Sequence, residues 1–156
     1  MTNRIIIDTN VLVGLYDEKD VWNRPAKYLM ENLKNALADL ILLDCVVNET
    51  FTVLARRLRE GKRQDNLTSI FEKLKADLSK DKITNSYQLL ETNYKEIIDR
   101  IIESNGKINF HDALIITFAF NQNISFIASF DTNFDGIVGV TRFFDPKKDS
   151  QKTKEK

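Results

Sequence analysis

Short apolar runs alternate with longer amphipathic stretches along the chain. The run at residues 4–10 (R-I-I-I-D-T-N) contains three consecutive isoleucines, and further mainly apolar runs lie at residues 40–43 and 125–130. Short continuous runs of this kind are typical of strands buried on both faces of a parallel sheet. Briefer strands are predicted at residues 83–84 and 140–143.

The stretches between these runs repeat apolar residues at three- and four-residue spacing, which predicts amphipathic helices. One helix is expected to begin near Val11, and the segment after Asn109 is apolar on nearly every side, as in a core helix. Asn109 suits a helix N-cap, with Asp112 at the third helical position. The other predicted helices span residues 21–39, 46–60, 63–79 and 87–104, the first with Asp20 as its N-cap and Pro25 in its first turn.

Strands separated by helices predict an α/β fold around a parallel sheet with right-handed crossovers. A length of 156 residues corresponds to about one domain, which we expect to cover residues 1–145. Residues 146–156 are almost wholly polar or charged and are expected to form a mobile tail. Residues 64–105 are expected to form an elaborated helical region over one edge of the sheet.

The composition narrows the class of protein. Lys plus Arg and Asp plus Glu each total 23, so the chain lacks the overall positive charge of many DNA-binding modules. The single cysteine, Cys45, excludes an intramolecular disulfide and is expected to be a small buried apolar residue. No signal peptide or membrane-spanning run is apparent, so we expect a cytoplasmic protein with no membrane partner.

Four carboxylates occupy positions where a carboxylate is costly. Asp8 and Asp131 each follow a predicted strand, whereas Glu49 and Asp112 lie early in helices and share a face with apolar residues. In a parallel α/β sheet, strand ends and helix starts of this kind meet at the carboxyl edge, where ligands bind. A buried carboxylate without a partner is strongly disfavoured, and oxygen ligands suit a hard cation such as Mg²⁺ or Mn²⁺.

Each carboxylate also has a simpler interpretation. Asp8 is well placed to cap the helix that follows it, and Asp131 to lie in a loop. Glu49 is compatible with a first-turn acid that points to solvent, and Asp112 with an acid that interacts with the helix dipole. A joint role is favoured by the convergence of all four at one edge of the sheet.

These residues resemble the PIN domain family. The resemblance rests on D-T-N at residues 8–10, the helical Glu49, H-D-A at residues 111–113 and S-F-D at residues 129–131, and it covers about residues 4–144. It implies a three-layer α/β/α sandwich around a short central parallel sheet. It also implies a metal-dependent nuclease, with the VapC-type toxins of toxin–antitoxin pairs as the largest group of small single-domain members.

The resemblance also assigns roles to single residues. Asp8, Glu49, Asp112 and Asp131 would form an acidic quartet that is catalytic and binds Mg²⁺, with Mn²⁺ as a substitute. Asn10 and Ser129 would be polar residues that support the quartet, and Asp135 an additional acid. We therefore expect a Mg²⁺-dependent endoribonuclease that acts on RNA, forms a homodimer and pairs with a small antitoxin protein. A housekeeping RNA-processing nuclease and a catalytically silent adaptor remain alternatives.

Two other enzyme classes with an acid at a strand end fit less well. A dehalogenase-type phosphatase requires an aspartate two residues after the first, and that position holds Asn10. A response-regulator receiver requires an early acidic pair and a lysine after a late strand, and neither is in the right place.

Further residues have two interpretations each. A dense basic cluster is expected either to contact RNA phosphates or to be a solvated helix face. His111 is expected to be structural or exposed rather than a general base. Trp22 and Tyr28 are expected to pack in the core, with a dimer or antitoxin surface as the alternative. The basic cluster comprises Arg56, Arg57, Arg59, Lys62 and Arg63.

Overall fold

The computed structural model describes residues 3–143 and contains a five-stranded parallel sheet. The strand order is β3-β2-β1-β4-β5, so the first strand of the chain lies at the centre. Its residue Ile6 is in register with Ile41 on one side and Ile127 on the other. The strands are β1 (Arg4–Ile7), β2 (Asp39–Leu43), β3 (Ile83–Thr84), β4 (Phe126–Ala128) and β5 (Thr141–Arg142).

Helices flank this sheet, which confirms the predicted α/β sandwich. The helix α5 packs along α6, and α1 packs against both α2 and α3. Short 3₁₀ turns lie at Gln64–Asn66, Lys80–Lys82 and Thr132–Phe134. The α-helices are α1 (Thr9–Tyr16), α2 (Asn23–Asn35), α3 (Asp44–Glu60), α4 (Leu67–Asp77), α5 (Leu89–Glu103) and α6 (Phe110–Asn121).

The core is built where the sequence is most continuously apolar. Ile5, Ile6 and Ile7 of β1 are buried, and so is every residue of α6 from Asp112 to Ala119. Cys45 is buried, as expected. After α5, Asn105 and Gly106 take left-handed φ angles of 54° and 75°, which end the helix where the sequence predicted.

Several boundaries differ from the prediction. The strand predicted at residues 40–43 is buried only at Leu43, because β3 pairs with just the last two residues of β2 and leaves its first half at the sheet edge. The helix predicted over residues 63–79 is divided into the Gln64–Asn66 turn and α4. The Asp20 carboxylate does not cap α2; it accepts a hydrogen bond from the Trp22 amide inside the preceding turn.

The region predicted to elaborate one edge, residues 64–105, has two parts. β3 does form the sheet edge, whereas α5 packs on the core helix α6 and belongs to the main body. A single domain over residues 1–145 stays a prediction, and the tail predicted at residues 146–156 lies outside the described residues. Within residues 3–143, no helix combines the length and the apolar character needed to cross a membrane.

Candidate active site

Asp8 stands at the junction between the central strand and the first helix. Its backbone amide continues the sheet by donating to the carbonyl of Ala128 at 3.0 Å, and its Oδ1 accepts from the Thr9 amide at 2.7 Å. Its Oδ2 accepts a 2.6 Å hydrogen bond from the Ser129 hydroxyl. Asp8 is therefore the N-cap of α1, as its simpler interpretation predicted, and it is also buried at the carboxyl edge of the sheet.

Ser129 connects the ends of β1 and β4. Besides donating to Asp8, its hydroxyl oxygen accepts hydrogen bonds from the Asn10 amide group at 3.0 Å and from the Asp131 backbone amide at 2.9 Å. The Asn10 side-chain carbonyl accepts from the Phe130 amide at 3.1 Å, which closes the network. Asn10 and Ser129 thus contact the loop that carries Asp131, and their role in supporting the acids stays a prediction.

Glu49 reaches the same edge from α3. Its Oε2 accepts a hydrogen bond from the Thr9 hydroxyl at 2.8 Å and lies 2.9 Å from Nε2 of His111. The imidazole nitrogen also lies 3.2 Å from Thr9 Oγ1 and 4.0 Å from Asp8 Oδ1. One oxygen of Glu49 is therefore held by two neighbours, while its side chain remains 39% exposed.

Asp112 lies in the first turn of α6, where Asn109 caps the helix by accepting a 2.8 Å hydrogen bond from the Asp112 amide. Its side chain is buried, and Oδ2 is the one buried side-chain nitrogen or oxygen atom among residues 3–143 that lacks a hydrogen-bond partner. A buried acceptor without a partner is strongly unfavourable. This oxygen requires a proton or a cation.

Asp131 follows β4 and caps the short Thr132–Phe134 turn. Its Oδ1 accepts from the Asn133 amide at 2.8 Å, and its Oδ2 lies 3.5 Å from the Asn133 side-chain nitrogen. The loop interpretation of this residue is correct as far as its backbone is concerned. Its carboxylate is nevertheless close enough to Asp112 to raise the pKa of that residue.

The charges of these groups are coupled. Burial raises the pKa of Asp8 to about 6, against the lowering effects of the Ser129 hydrogen bond and of His111. Burial also raises the pKa of Asp112 to about 6, assisted by the negative charges of Asp8 and Asp131. Acids with perturbed pKa values that face one another are typical of functional sites.

Glu49 and His111 are shifted in the opposite sense. The His111 hydrogen bond lowers the pKa of Glu49 despite partial burial. Burial alone would lower the pKa of His111, but the hydrogen bond and charge of Glu49, with the charges of Asp8 and Asp112, raise it overall. The pair thus favours an ionised carboxylate beside a protonated imidazole.

The carboxylate oxygens of these four acids are ligands of the kind that a hard cation prefers, but they do not surround a single point. Within the part of the chain that the structure describes, no three His, Cys, Asp or Glu side chains converge closely enough to hold a metal ion. The four carboxylates nevertheless interact, through hydrogen bonds to Ser129 and His111 and through the repulsion of their charges. Asp112 Oδ2 has no hydrogen-bond partner. Oxygen-only donors with an unpaired buried member fit Mg²⁺ or Mn²⁺.

Asp135 is not part of this cluster. Its two carboxylate oxygens accept hydrogen bonds from the Arg142 guanidinium at 2.8 and 2.9 Å, and its side chain is half exposed. Arg142 also reaches the Ser129 carbonyl oxygen at 3.4 Å. An ion pair with β5 turns the Asp135 carboxylate toward Arg142, and the expectation of an additional acid at this position stays a prediction.

The predicted basic cluster is divided by two ion pairs. Arg57 pairs with Asp20, and Arg63 binds both oxygens of the buried Asp17 at 2.7 and 3.2 Å. Arg56, Arg59 and Lys62 are exposed. Arg56 is close enough to Glu49 to contribute to the lowering of its pKa.

Thr9 and His111 belong to the site, although the sequence analysis gave neither a role in it. His111 was expected to be structural or exposed; its side chain is 19% exposed and lies 2.9 Å from Glu49, which agrees with the structural alternative. Their positions in the sequence could have indicated this, since Thr9 follows Asp8 and His111 precedes Asp112. Trp22 is half buried and stacks on Phe130 at 4.6 Å between ring centroids, and Tyr28 is also half buried, which favours packing for both.

Comparison with known proteins agrees with this geometry. A family model described as PIN domain matches residues 5–139. Among solved structures, the Mycobacterium tuberculosis toxin VapC20, described as cleaving the sarcin-ricin loop, superposes with a TM-score of 0.64 at 20% identity. The match covers 87% of this chain and 98% of that toxin, and at this identity it shows a shared fold. A search of curated protein sequences gave no match.

Proposed function

Because the chain belongs to the PIN domain family, we propose that it is a metal-dependent endoribonuclease that hydrolyses RNA phosphodiester bonds. The observation that carries this proposal is the partnerless Oδ2 of buried Asp112 beside Asp8 and Asp131. A buried carboxylate oxygen without a hydrogen-bond partner is unfavourable unless a cation or a proton binds it. A divalent cation satisfies it and at the same time offsets the repulsion among the acids.

Four residues would hold the ion. Asp8 and Asp131 would bind Mg²⁺, or Mn²⁺ in its place, and Glu49 and Asp112 would complete the site directly or through water. When bound, such an ion activates water at neutral pH and offsets the charge of a phosphodiester.

The remaining residues of the site orient these acids. The Ser129 hydroxyl holds Asp8 Oδ2, so the Asp8 carboxylate cannot turn away from the sheet edge. Thr9 and His111 hold one Glu49 oxygen in place. Asn10 holds the backbone at Phe130 and thereby the loop that carries Asp131. The acids would therefore meet the ion without a large loss of side-chain freedom.

The biological setting follows from the same likeness. VapC20 is described as a toxin that cleaves the sarcin-ricin loop, and it has the same fold. We accordingly propose that this chain is the toxin of a VapBC-type pair in the cytoplasm, that it acts on RNA and that a small antitoxin protein binds it. A homodimer is part of the same proposal. A small antitoxin-like reading frame beside the gene would favour the toxin over a housekeeping nuclease.

The test is incubation of the protein with structured and unstructured RNAs in Mg²⁺, in Mn²⁺ and in EDTA. We expect cleavage of at least one RNA with either ion and none with EDTA. Absence of cleavage in both metals would overturn the nuclease proposal and favour an adaptor that binds without cutting.

A further inference from the structure

The arginines in the last turns of α3 and just after it have two different roles. Arg57 and Arg63 are neutralised by Asp20 and Asp17, so they fasten the end of α3 to the loop after α1. Within residues 3–143, Arg56 and Arg59 have no ion pair at hydrogen-bonding distance, and both are exposed. Two guanidinium groups are thus left for an external ligand.

Arg56 and Arg59 lie on one face of α3 with Thr52 and Ala55. Counted from Thr52, the other three follow at three, four and seven residues, the spacing that aligns residues along one side of a helix. Glu49 lies three residues before Thr52 on the same side, within α3. At 1.5 Å per residue, Arg56 lies about 10 Å and Arg59 about 15 Å along the helix axis from Glu49. The stripe therefore leads away from the acidic cluster.

An open cleft of about 500 Å³ lies beside this stripe, between α3 and the start of α4. Its floor is apolar, since Leu58 is buried and Ala55 and Leu67 are half buried. Its polar lining comes from Thr52, Arg56, Arg59 and Gln64. A cleft of this volume is within the range that holds a small ligand or one nucleotide.

We propose that this cleft is the binding subsite for a nucleotide of single-stranded RNA at some distance along the strand from the bond that is cut. The apolar floor of Ala55 and Leu67 suits the face of a base, and Arg56 and Arg59 suit the adjoining phosphates because guanidinium groups bind phosphate oxygens in pairs. Gln64 offers an amide to the edge of the base. The proposal rests on the proposed ribonuclease function, because the subsite would hold RNA whose cleavage takes place at the cluster of four acids.

An RNA segment fits this cleft better than an acidic protein segment does. The free arginines start about 10 Å from Glu49 along α3, so a strand held by them also reaches the acids. A protein segment has no such need to approach four carboxylates. The surface beside the arginines is apolar at Ala55, Leu58 and Leu67 and suits the face of a planar ring, which each nucleotide supplies and an acidic peptide generally lacks.

The test measures RNA binding apart from cleavage. In an Asp8→Asn background with Mg²⁺, a fluorescently labelled single-stranded RNA of mixed sequence is titrated by anisotropy at several salt concentrations. The test variant adds Arg56→Gln and Arg59→Gln. The matched control adds Lys75→Gln and Lys95→Gln, which remove the same charge from exposed pairs elsewhere.

We expect affinity to fall at least 10-fold in the arginine variant and the slope of log K against log salt to become shallower by about 1.4, or about 0.7 for each phosphate. The lysine control should lose less than 2-fold with an unchanged slope. A third variant, Ala55→Leu, fills the cleft without a change in charge, so affinity should fall while the salt slope stays constant. Thermal unfolding of each variant checks that it is folded.

Equal slopes and affinities for the arginine variant and the lysine control would overturn the subsite. Binding of a poly-glutamate peptide that depends on Arg56 and Arg59, with RNA binding that does not, would also overturn it and assign the cleft to an acidic protein. If wild-type protein cuts RNA but the arginines have no effect, the subsite fails and the nuclease stands. If RNA binding depends on the arginines but no RNA is cut with metal, the nuclease fails and the subsite stands.

Discussion

The Nε2 atom of His111 lies 2.9 Å from Oε2 of Glu49 and joins the start of α6 to α3. The same carboxylate oxygen accepts a hydrogen bond from the Thr9 hydroxyl, so residues of α1, α3 and α6 are in contact at this one oxygen. A carboxylate held this way has its second oxygen presented in a fixed direction. His111 is thereby a positioning residue for Glu49.

Replacement of His111 with Ala is expected to lower kcat for RNA cleavage by about 10-fold or more, because loss of a group that orients a metal ligand typically costs 10–100-fold. His111→Gln retains a donor at a similar reach and should recover part of the loss. The measurement is steady-state cleavage of one RNA substrate with Mg²⁺ for both variants. An unchanged kcat in the alanine variant would show that Glu49 needs no such support.

Replacement of Asp8 with Asn is expected to abolish detectable cleavage while the fold survives. Asn keeps the size of the side chain and an oxygen that accepts from Thr9 or Ser129, but it removes the charge that a cation requires. Asp99→Asn is the matched control, because Asp99 lies on α5 in an exposed pair with Lys95. Cleavage by both variants at the wild-type rate would exclude Asp8 from the site.

Stability of the metal-free protein is expected to depend on the ionisation of Asp112. Its pKa is about 6 in the fold, raised from the ordinary 3.8. A raised carboxyl pKa means that the folded chain holds the proton more tightly than the unfolded chain does. This residue therefore contributes stability that is fully present below about pH 4 and is lost as the pH rises through about 6.

Asp112→Asn should consequently stabilise the metal-free protein at pH 8, by about 1–3 kcal/mol, from the 1.4 kcal/mol that corresponds to each tenfold change in the ionisation constant. The gain should shrink toward pH 4, where wild-type Asp112 is protonated. Urea unfolding at both pH values measures the difference, with Asp99→Asn as the control. A variant less stable than wild type at pH 8 would contradict a buried, unpaired carboxylate.

Divalent metal should make the wild-type protein more stable than Asp112→Asn. An ion that binds only the folded chain stabilises it by about 2.7 kcal/mol at 100 times its dissociation constant. Addition of Mg²⁺ or Mn²⁺ should therefore raise the Tm of wild-type protein, and EDTA should remove both the increase and RNA cleavage. The increase should be much smaller in Asp112→Asn. The same increase in both proteins would place the metal elsewhere.

Arg63 is predicted to contribute stability rather than RNA affinity. Its guanidinium is the main reason that the pKa of Asp17 lies below its ordinary value, and the Asp17 side chain is only 3% exposed. Arg63→Gln removes the main partner of this buried charge and leaves it with the Lys19 amide and the nearby charge of Arg57, so the free energy of unfolding should fall by about 2–4 kcal/mol. Since the pKa of Asp17 is lowered, the contribution of the pair is present above about pH 4 and is lost at lower pH.

A second variant, Asp17→Asn with Arg63→Gln, separates the pair from the packing around it. Removal of both charges should recover part of the stability that Arg63→Gln alone loses. Urea unfolding of the two single variants and the double variant at pH 7 gives the coupling. Strictly additive losses would show that the two side chains do not stabilise one another.

The sequence indicated most of the fold because its strongest local signals agree with the tertiary structure. The isoleucines of β1 and the apolar run of α6 are buried in the structure, where the sequence predicted them. Leu40 and Ile41 of β2 are equally apolar but lie at the edge, since the length of β3 decides their burial and β3 is distant in sequence. Sheet order of this kind is a non-local property that periodicity does not encode.

The same distinction applies to the site. The four acids were predicted to form a site because each follows a strand or starts a helix at one edge of the sheet, which topology brings together. The partners of Arg57 and Arg63 were not found, because Asp20 and Asp17 precede them by 37 and 46 residues. The bond from His111 to Glu49 was missed for the same reason. Charge clusters in a sequence do not show which members are already neutralised.

The central position of β1 has a consequence for the order in which the site can form. Asp8 and its hydroxyl partner Ser129 are separated by 121 residues. The strand that carries Asp8 also waits for β4 to cover its second side. Contacts of such long separation form late, after the intervening chain has been ordered. A chain that ends before β4 lacks Ser129 and Asp131, so the acidic cluster can assemble only after β4 has joined the sheet.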